Sequence, residues 1–316
     1  MKTSVFESPG NIVIRDSEMP DINEEEVLVR LKGTGVCASN LPVWEGRDWF
    51  RYPIEPGAPG HEGYGIVERI GSSVRDVGPG DKVALISQHA YAEYDKAHLS
   101  EIARLPEEVG QLHFPGEPAA CAVNIFRRSD LLRDQQVLII GAGYLGCMLI
   151  QLAKNAGAIV TVVSRRETSL EYARIAGADH LIGFTDYYKA LEQVKKQLPG
   201  GAPRIIEATG FRQSIDFATD AIAVRGRMII AGYHQDGMRN VNMQVWNWKG
   251  IDIINAHERD PEIYVDGLKE AIRLTEMKIL QPEKFITHYF CFENINEAFR
   301  LLKNRPESFM KAVITY

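Results

Sequence analysis

The chain has 316 residues, 45% hydrophobic and 25% charged, which is ordinary for a soluble globular protein and long enough for two domains. A net charge of −6, with basic runs no longer than Arg127-Arg128, Arg165-Arg166 and Lys195-Lys196, excludes an electrostatic footprint for nucleic acid or an anionic membrane. No stretch approaches the roughly 20 apolar residues of a membrane span. Met1–Val5 lacks a signal-peptide core, and cysteines 37, 121, 147 and 291 are too scattered for a secreted disulfide framework, so a cytoplasmic protein with reduced thiols is expected.

Residues 1 to about 105 read as short strands broken by Gly and Pro, among them Ile12–Ile14, Glu26–Leu31, Gly65–Val67 and Lys82–Ile86. From Asp134 strands and helices alternate: strand Gln136–Ile140, helix Tyr144–Ala156, strand Ile159–Val163, helix Ser169–Ala176 and strand His180–Gly183. Helix Tyr187–Gln197, strand Arg204–Ala208, helix Arg212–Ala223 and strands Met228–Ala231 and Ile251–Asn255 continue the series. Such alternation is how a parallel sheet with crossover helices is written. Two further helices, Tyr264–Thr275 and Ile295–Lys303, and a strand, Ala312–Tyr316, are too little for a domain and are expected to return to the first one. The expected fold is α/β. A β-rich domain spans 1–125 and 257–316, and a doubly wound parallel-sheet domain spans 126–256.

Strand Gln136–Ile140 runs directly into Gly141-Ala142-Gly143-Tyr144-Leu145-Gly146 and then an apolar helix, a G-x-G-x-x-G in the context that dinucleotide binding requires. Gly141 permits the tight turn, Gly143 admits the pyrophosphate to the backbone, and Gly146 allows close helix–strand packing, while the helix N-terminus attracts phosphate. The end of the following strand reads Ser164-Arg165-Arg166-Glu167. Ser164 stands where an acidic residue would bind the adenosine ribose, and two guanidinium groups suit a 2′-phosphate, which favours NADP(H) over NAD(H).

In the first third lie Gly35-Val36-Cys37-Ala38-Ser39-Asn40 and Gly60-His61-Glu62-Gly63-Tyr64-Gly65, followed by Gly116-Glu117-Pro118-Ala119-Ala120-Cys121-Ala122. Thiolate, imidazole and carboxylate are all good zinc ligands. With Gly80–Val83, the glycine-rich turn and Glu207-Ala208-Thr209-Gly210, these segments resemble the zinc-containing alcohol dehydrogenases of the medium-chain dehydrogenase/reductase superfamily, over nearly the whole chain. The resemblance implies a GroES-like catalytic domain beside a Rossmann domain. It implies one catalytic zinc on Cys37, His61 and Glu117, with Glu62 as conditional ligand or hydrogen-bonding neighbour. Ser39 would pass the substrate proton; Tyr144, Leu145, Thr209, Gly210 and Lys311 would join the cofactor site, Lys311 at the pyrophosphate. The implied activity is NAD(P)-dependent alcohol dehydrogenase or ketone reductase on a secondary alcohol, polyol or ring hydroxyl, in a homodimer joined through the Rossmann sheet edge.

The sequence departs from the family at three points. No cysteine follows Val83 through Tyr94, so the structural zinc lobe is absent; Asn40 stands where the family often has Asp; and Pro42 replaces the histidine of the outer proton relay. Segments Trp246–Gly250 and Ile254–Asp260 resemble, more weakly, the bacteriochlorophyllide-type dehydrogenases. Two other readings stay open at this level: a zinc-free quinone or enoyl reductase of the same superfamily, and a dinucleotide-binding protein without catalysis. Cys121, Cys147 and Cys291 are expected as small buried hydrophobes. Leu41, Trp44, Trp49, Phe50 and Tyr64 are candidates either for a substrate pocket or for core.

Overall fold

The computed structural model describes residues 1–235 and 237–316, which separate into two compact units, Met1–Ala120 with Asp260–Tyr316 and Cys121–Arg259. In chain order the first unit begins with β1 (Lys2–Ser8), β2 (Asn11–Asp16), β3 (Glu26–Val36), α1 (Leu41–Glu45) and β4 (Gly63–Ile70). It continues with β5 (Lys82–Leu85), β6 (Tyr94–His98), β7 (Ile102–Arg104), α2 (Glu107–Gly110) and α3 (Gly116–Ser129). The unit boundary falls inside α3.

The second unit contains β8 (Gln136–Ile140), α4 (Tyr144–Asn155), β9 (Ile159–Ser164), α5 (Glu167–Ile175), β10 (His180–Gly183) and α6 (Tyr187–Gln197). After these come β11 (Ala202–Glu207), α7 (Arg212–Ala221), β12 (Ile222–Ile230), α8 (Met243–Lys249) and β13 (Asp252–Asn255). The chain then returns to the first unit with α9 (Pro261–Glu276), β14 (His288–Cys291), α10 (Ile295–Asn304) and β15 (Ala312–Thr315).

Among the described residues, the strands of the second unit form one sheet in the order β10-β9-β8-β11-β12-β13, every pair parallel. Strand β8 is buried on both faces, with Val137, Leu138 and Ile139 fully covered, as an apolar run between two helix layers must be. The strand order reverses between β8 and β11, and the crevice beyond their carboxyl ends is where open α/β sheets take ligands. Polar caps set the helix starts: Asp186 accepts the Lys189 amide at α6, and Asp260 accepts the Glu262 amide at α9, where Pro261 supplies a preset φ.

In the first unit the sheet order is β14-β15-β3-β4-β5-β7, with β6 also on β3, and β1 and β2 form a separate hairpin. An aromatic cluster of Phe6, Trp44, Tyr91 and Phe299 packs beside it, Phe6 and Tyr91 each edge-on or tilted to its neighbours. Strand β3 continues five residues beyond the expected Leu31. Its Gly33 and Gly35 break the apolar pattern because other side chains cross them: a Cβ on Gly35 would lie 1.7 Å from a Glu62 carboxylate oxygen, and one on Gly33 would lie 2.3 Å from the Tyr64 hydroxyl. Helix α3, not marked in the sequence reading, carries Glu117 in its first turn. Cys291 is a correction: it is exposed on the edge strand β14, whereas Cys147 is buried and Cys121 partly so. Trp44 and Tyr64 are core, and Trp49 is exposed.

Candidate active site

The end of β3 and the start of β4 are antiparallel neighbours, with Thr34 opposite Gly63. The residues just past Val36 and just before Gly63 are thereby brought together. Cys37, His61 and Glu62 offer ligand atoms that all lie within 4.8 Å of one another. A short 3-10 turn, Ala38–Asn40, places the Ser39 hydroxyl between them, 3.2 Å from the Cys37 sulfur and 3.4 Å from His61 Nε2. His61 Nδ1 donates to the Pro59 carbonyl at 2.8 Å, which aims Nε2 at the cluster.

Glu62 is wholly buried, and Lys311 reaches it from β15's approach, its ammonium 2.7 Å from Oε1 and 2.6 Å from Oε2 and also donating to the Val36 carbonyl. Only Oε1 receives a well-directed hydrogen bond; Oε2 has close ammonium contact but no properly angled donor. Glu117, expected as the third ligand, stands outside the group: its Oε1 accepts a short hydrogen bond from the Tyr264 hydroxyl of α9. Lys311, expected at the cofactor pyrophosphate, is only 5% exposed and pairs with Glu62.

The electrostatics of this cluster are those of a cation site. Burial pushes the His61 imidazolium down, yet the hydrogen bond and charge of Cys37, then Glu117 and Glu62, raise it to about 10. A sulfur, an imidazole nitrogen and a carboxylate oxygen without a directed donor match the donor chemistry of three-ligand catalytic zinc.

In the second unit the glycine-rich turn has the conformations its residues require. Gly141 adopts φ +99°, open to glycine, and a Cβ on Gly146 would lie 2.1 Å from the Gly141 carbonyl oxygen. A Cβ on Gly143 would meet nothing within 4 Å, so the space at the N-terminus of α4 is open to a ligand. Tyr144 and Leu145 begin that helix. Ser164 ends β9, and the Arg165 guanidinium lies over the Phe211 ring, 5.4 Å from its centroid. Arg166 is the N-cap residue of α5.

Thr209 and Gly210 form a turn organised by the buried Glu207 carboxylate. It accepts the Thr209 amide at 2.7 Å, the Thr209 hydroxyl at 2.5 Å and the Gly210 amide at 3.1 Å, and lies 2.9 Å from His234 Nε2. At the carboxyl ends of β12 and β13 is a cavity of about 370 Å³ lined by Ile230, Tyr233, His234, Asn255, His257 and Arg259. Burial is the main cause that lowers the His257 pKa.

Sequence reasoning missed the supporting partners Tyr91, Phe211, His234 and Tyr264. Phe211 alone carried a local signal, an aromatic residue directly after the Thr209-Gly210 turn. The Tyr64 hydroxyl hydrogen-bonds His113 Nδ1 at 2.7 Å.

Residues 23–116 match the family model of the alcohol dehydrogenase GroES-like domain, and residues 145–273 match that of the zinc-binding dehydrogenases. Human sorbitol dehydrogenase is 28% identical, with 95% of this chain and 92% of the relative covered. The RspB alcohol dehydrogenase of Escherichia coli, solved with NADH, superposes with a TM-score of 0.88 at 22% identity, covering 100% of this chain and 99% of the other. A Sinorhizobium meliloti structure bound to NADP has a TM-score of 0.85 at 21% identity, with coverage of 100% and 99%. No helix among the described residues is long and apolar enough to cross a membrane.

Proposed function

We propose, since the chain belongs to the zinc-containing alcohol dehydrogenase branch of the medium-chain dehydrogenase/reductase superfamily and is an oxidoreductase of that type, that it holds one catalytic zinc and transfers a hydride between NADP(H) and a secondary alcohol or ketone. A polyol is the substrate class that sorbitol dehydrogenase as a relative favours. The observation that carries the reading is the Cys37, His61 and Glu62 group, with its buried carboxylate oxygen lacking a directed donor. These three residues would hold the metal, and Glu117, restrained by Tyr264, adds negative charge beside them. Zinc, when bound, supplies Lewis acidity to a substrate oxygen.

The chain's own groups do the rest. The Ser39 hydroxyl, seated between the Cys37 sulfur and His61, takes the substrate proton. Pro42 lies buried in α1 and carries no proton onward, so the relay among this chain's own side chains ends at Ser39. The α4 N-terminus and Gly143 would hold the pyrophosphate, with Thr209 and Gly210, fixed by Glu207, as further cofactor residues. Ser164, Arg165 and Arg166 would hold a 2′-phosphate, with Arg165 steadied by Phe211. A homodimer through an edge of the parallel sheet and a cytoplasmic location complete the proposal.

Elemental analysis of the purified protein tests the metal. About one zinc per chain is expected, and it disappears in Cys37→Ser; a metal-free wild type purified without chelator sinks the reading and favours a zinc-free reductase. Arg165→Ala tests cofactor choice: NADPH affinity is expected to fall at least about tenfold more than NADH affinity, the scale of a lost charged hydrogen bond. Equal losses for both cofactors refute the preference.

A further inference from the structure

Asn40 is buried, and both ends of its amide are engaged. Its Nδ2 donates to the Pro59 carbonyl at 3.2 Å, and its Oδ1 accepts from the Tyr91 hydroxyl at 2.8 Å. The Pro59 oxygen, which can only accept, also takes the His61 Nδ1 proton at 2.8 Å. This fixes the orientation of the amide: the end facing Pro59 must be the NH₂, leaving the carbonyl end for Tyr91. It also fixes the imidazole, with Nδ1 carrying the permanent proton and Nε2 the position that a metal would take.

Tyr91 is fully buried, and its backbone amide is bonded to the Gly57 carbonyl, so the hydroxyl is delivered by a segment already tied to the loop that carries Pro59. The loop's fit is close: a Cβ on Gly60 would lie 2.4 Å from the Tyr91 amide nitrogen. The Tyr91 hydroxyl therefore joins the Cys37–Asn40 turn to the Pro59–His61 loop, two segments that each supply one ligand atom.

Resting on the zinc reading above, we propose that Asn40, oriented by the Tyr91 hydroxyl, is a positioning residue for His61: through the shared Pro59 carbonyl this neutral relay sets the aim of the metal-binding nitrogen. An aspartate could not serve here, because a carboxylate oxygen would face the Pro59 oxygen at the same distance and repel it. A neutral relay also adds no negative charge to His61, so the metal keeps more of its Lewis acidity than it would behind a carboxylate.

The test measures zinc affinity by competition with a chromogenic chelator near neutral pH, together with the visible ligand-field spectrum of the cobalt-substituted protein. Tyr91→Phe and Asn40→Asp are each expected to weaken zinc binding by about 10- to 100-fold and to alter the cobalt spectrum. The sign for Asn40→Asp is diagnostic, since added negative charge acting alone would tighten the metal. Tyr316→Phe is the control. It deletes another largely buried hydroxyl, bonded to the Ala90 carbonyl at 2.6 Å, and is expected to lower the melting temperature of the metal-free protein while leaving zinc affinity and spectrum unchanged. Wild-type affinity and spectrum in both Tyr91→Phe and Asn40→Asp would overturn the relay while leaving the zinc site standing. Failure of the wild type to bind zinc at all would overturn both.

Discussion

The two units build their sites in opposite ways. In the second unit the dinucleotide turn is assembled from neighbours in sequence, Gly141 to Gly146, and its essential feature is missing atoms: a glycine where φ is +99°, another where a Cβ would strike a carbonyl, a third facing open space. In the first unit the candidate metal group is assembled from distant segments and held by added atoms. Lys311 neutralises Glu62 across 249 positions, and Tyr264 restrains Glu117 across 147. A site made of backbone geometry needs only local order, whereas a site made of buried charge needs a partner for every charge before it can persist without its metal.

Removing a partner from the first unit should therefore have the largest effect. Lys311→Met leaves the fully buried Glu62 uncompensated and is expected to destabilise the metal-free protein by about 3–5 kcal/mol. Thermal unfolding with and without zinc checks this, and a substantial part of the loss should return with the metal, which supplies the missing charge. An unchanged melting temperature would break the contrast between the units.

The glycine turn divides into a structural and a ligand-facing position. Gly146→Ala forces a Cβ against the Gly141 carbonyl and is expected to cost about 1–3 kcal/mol of stability. Gly143→Ala meets no protein atom and should leave the melting temperature unchanged while weakening dinucleotide binding, as read by cofactor titration. If both variants lost stability alike, Gly143 would be a packing residue.

The smallest effect belongs to the second unit's half-exposed ion pair. Burial pushes the Asp179 carboxyl up, but two contacts from Lys154 at 2.8 Å and the Val160 amide at 2.7 Å outweigh it and hold the carboxyl below its ordinary value. A depressed carboxylate stabilises the folded state above the unfolded value of about 3.9, and that contribution fades as pH falls through the lower folded value. Asp179→Asn should therefore melt slightly below wild type at pH 7, with the gap closing in acid. A gap independent of pH would assign the loss to the amide hydrogen bond alone.

Much of the fold was legible because its signals are periodic and local. Strands β8 and β10 and helix α6 have the expected bounds, since each apolar run ends at a turn or cap residue. Strand β12 begins at Ile222, six residues before the expected Met228, because Arg225 enters the left-handed region at φ 56° and interrupts the apolar pattern within a strand. The later half of β3 was hidden for another reason: Gly33 and Gly35 look like turn residues until the side chains crossing them are known.

By itself the sequence determined the alternation that makes a parallel sheet, the glycine-rich turn, and the chemical types of the metal group, because each is written in neighbouring residues or in a short ordered motif. Tertiary structure alone decided that the buried Glu62 lies against Cys37 and His61, that Glu117 bonds the Tyr264 hydroxyl, and that Lys311 pairs with Glu62. It alone decided that Asn40 serves His61 through a carbonyl shared by both. Those choices depend on which buried polar group finds which partner once β3, β4, β15 and α9 have packed, and that pairing has no counterpart in sequence spacing.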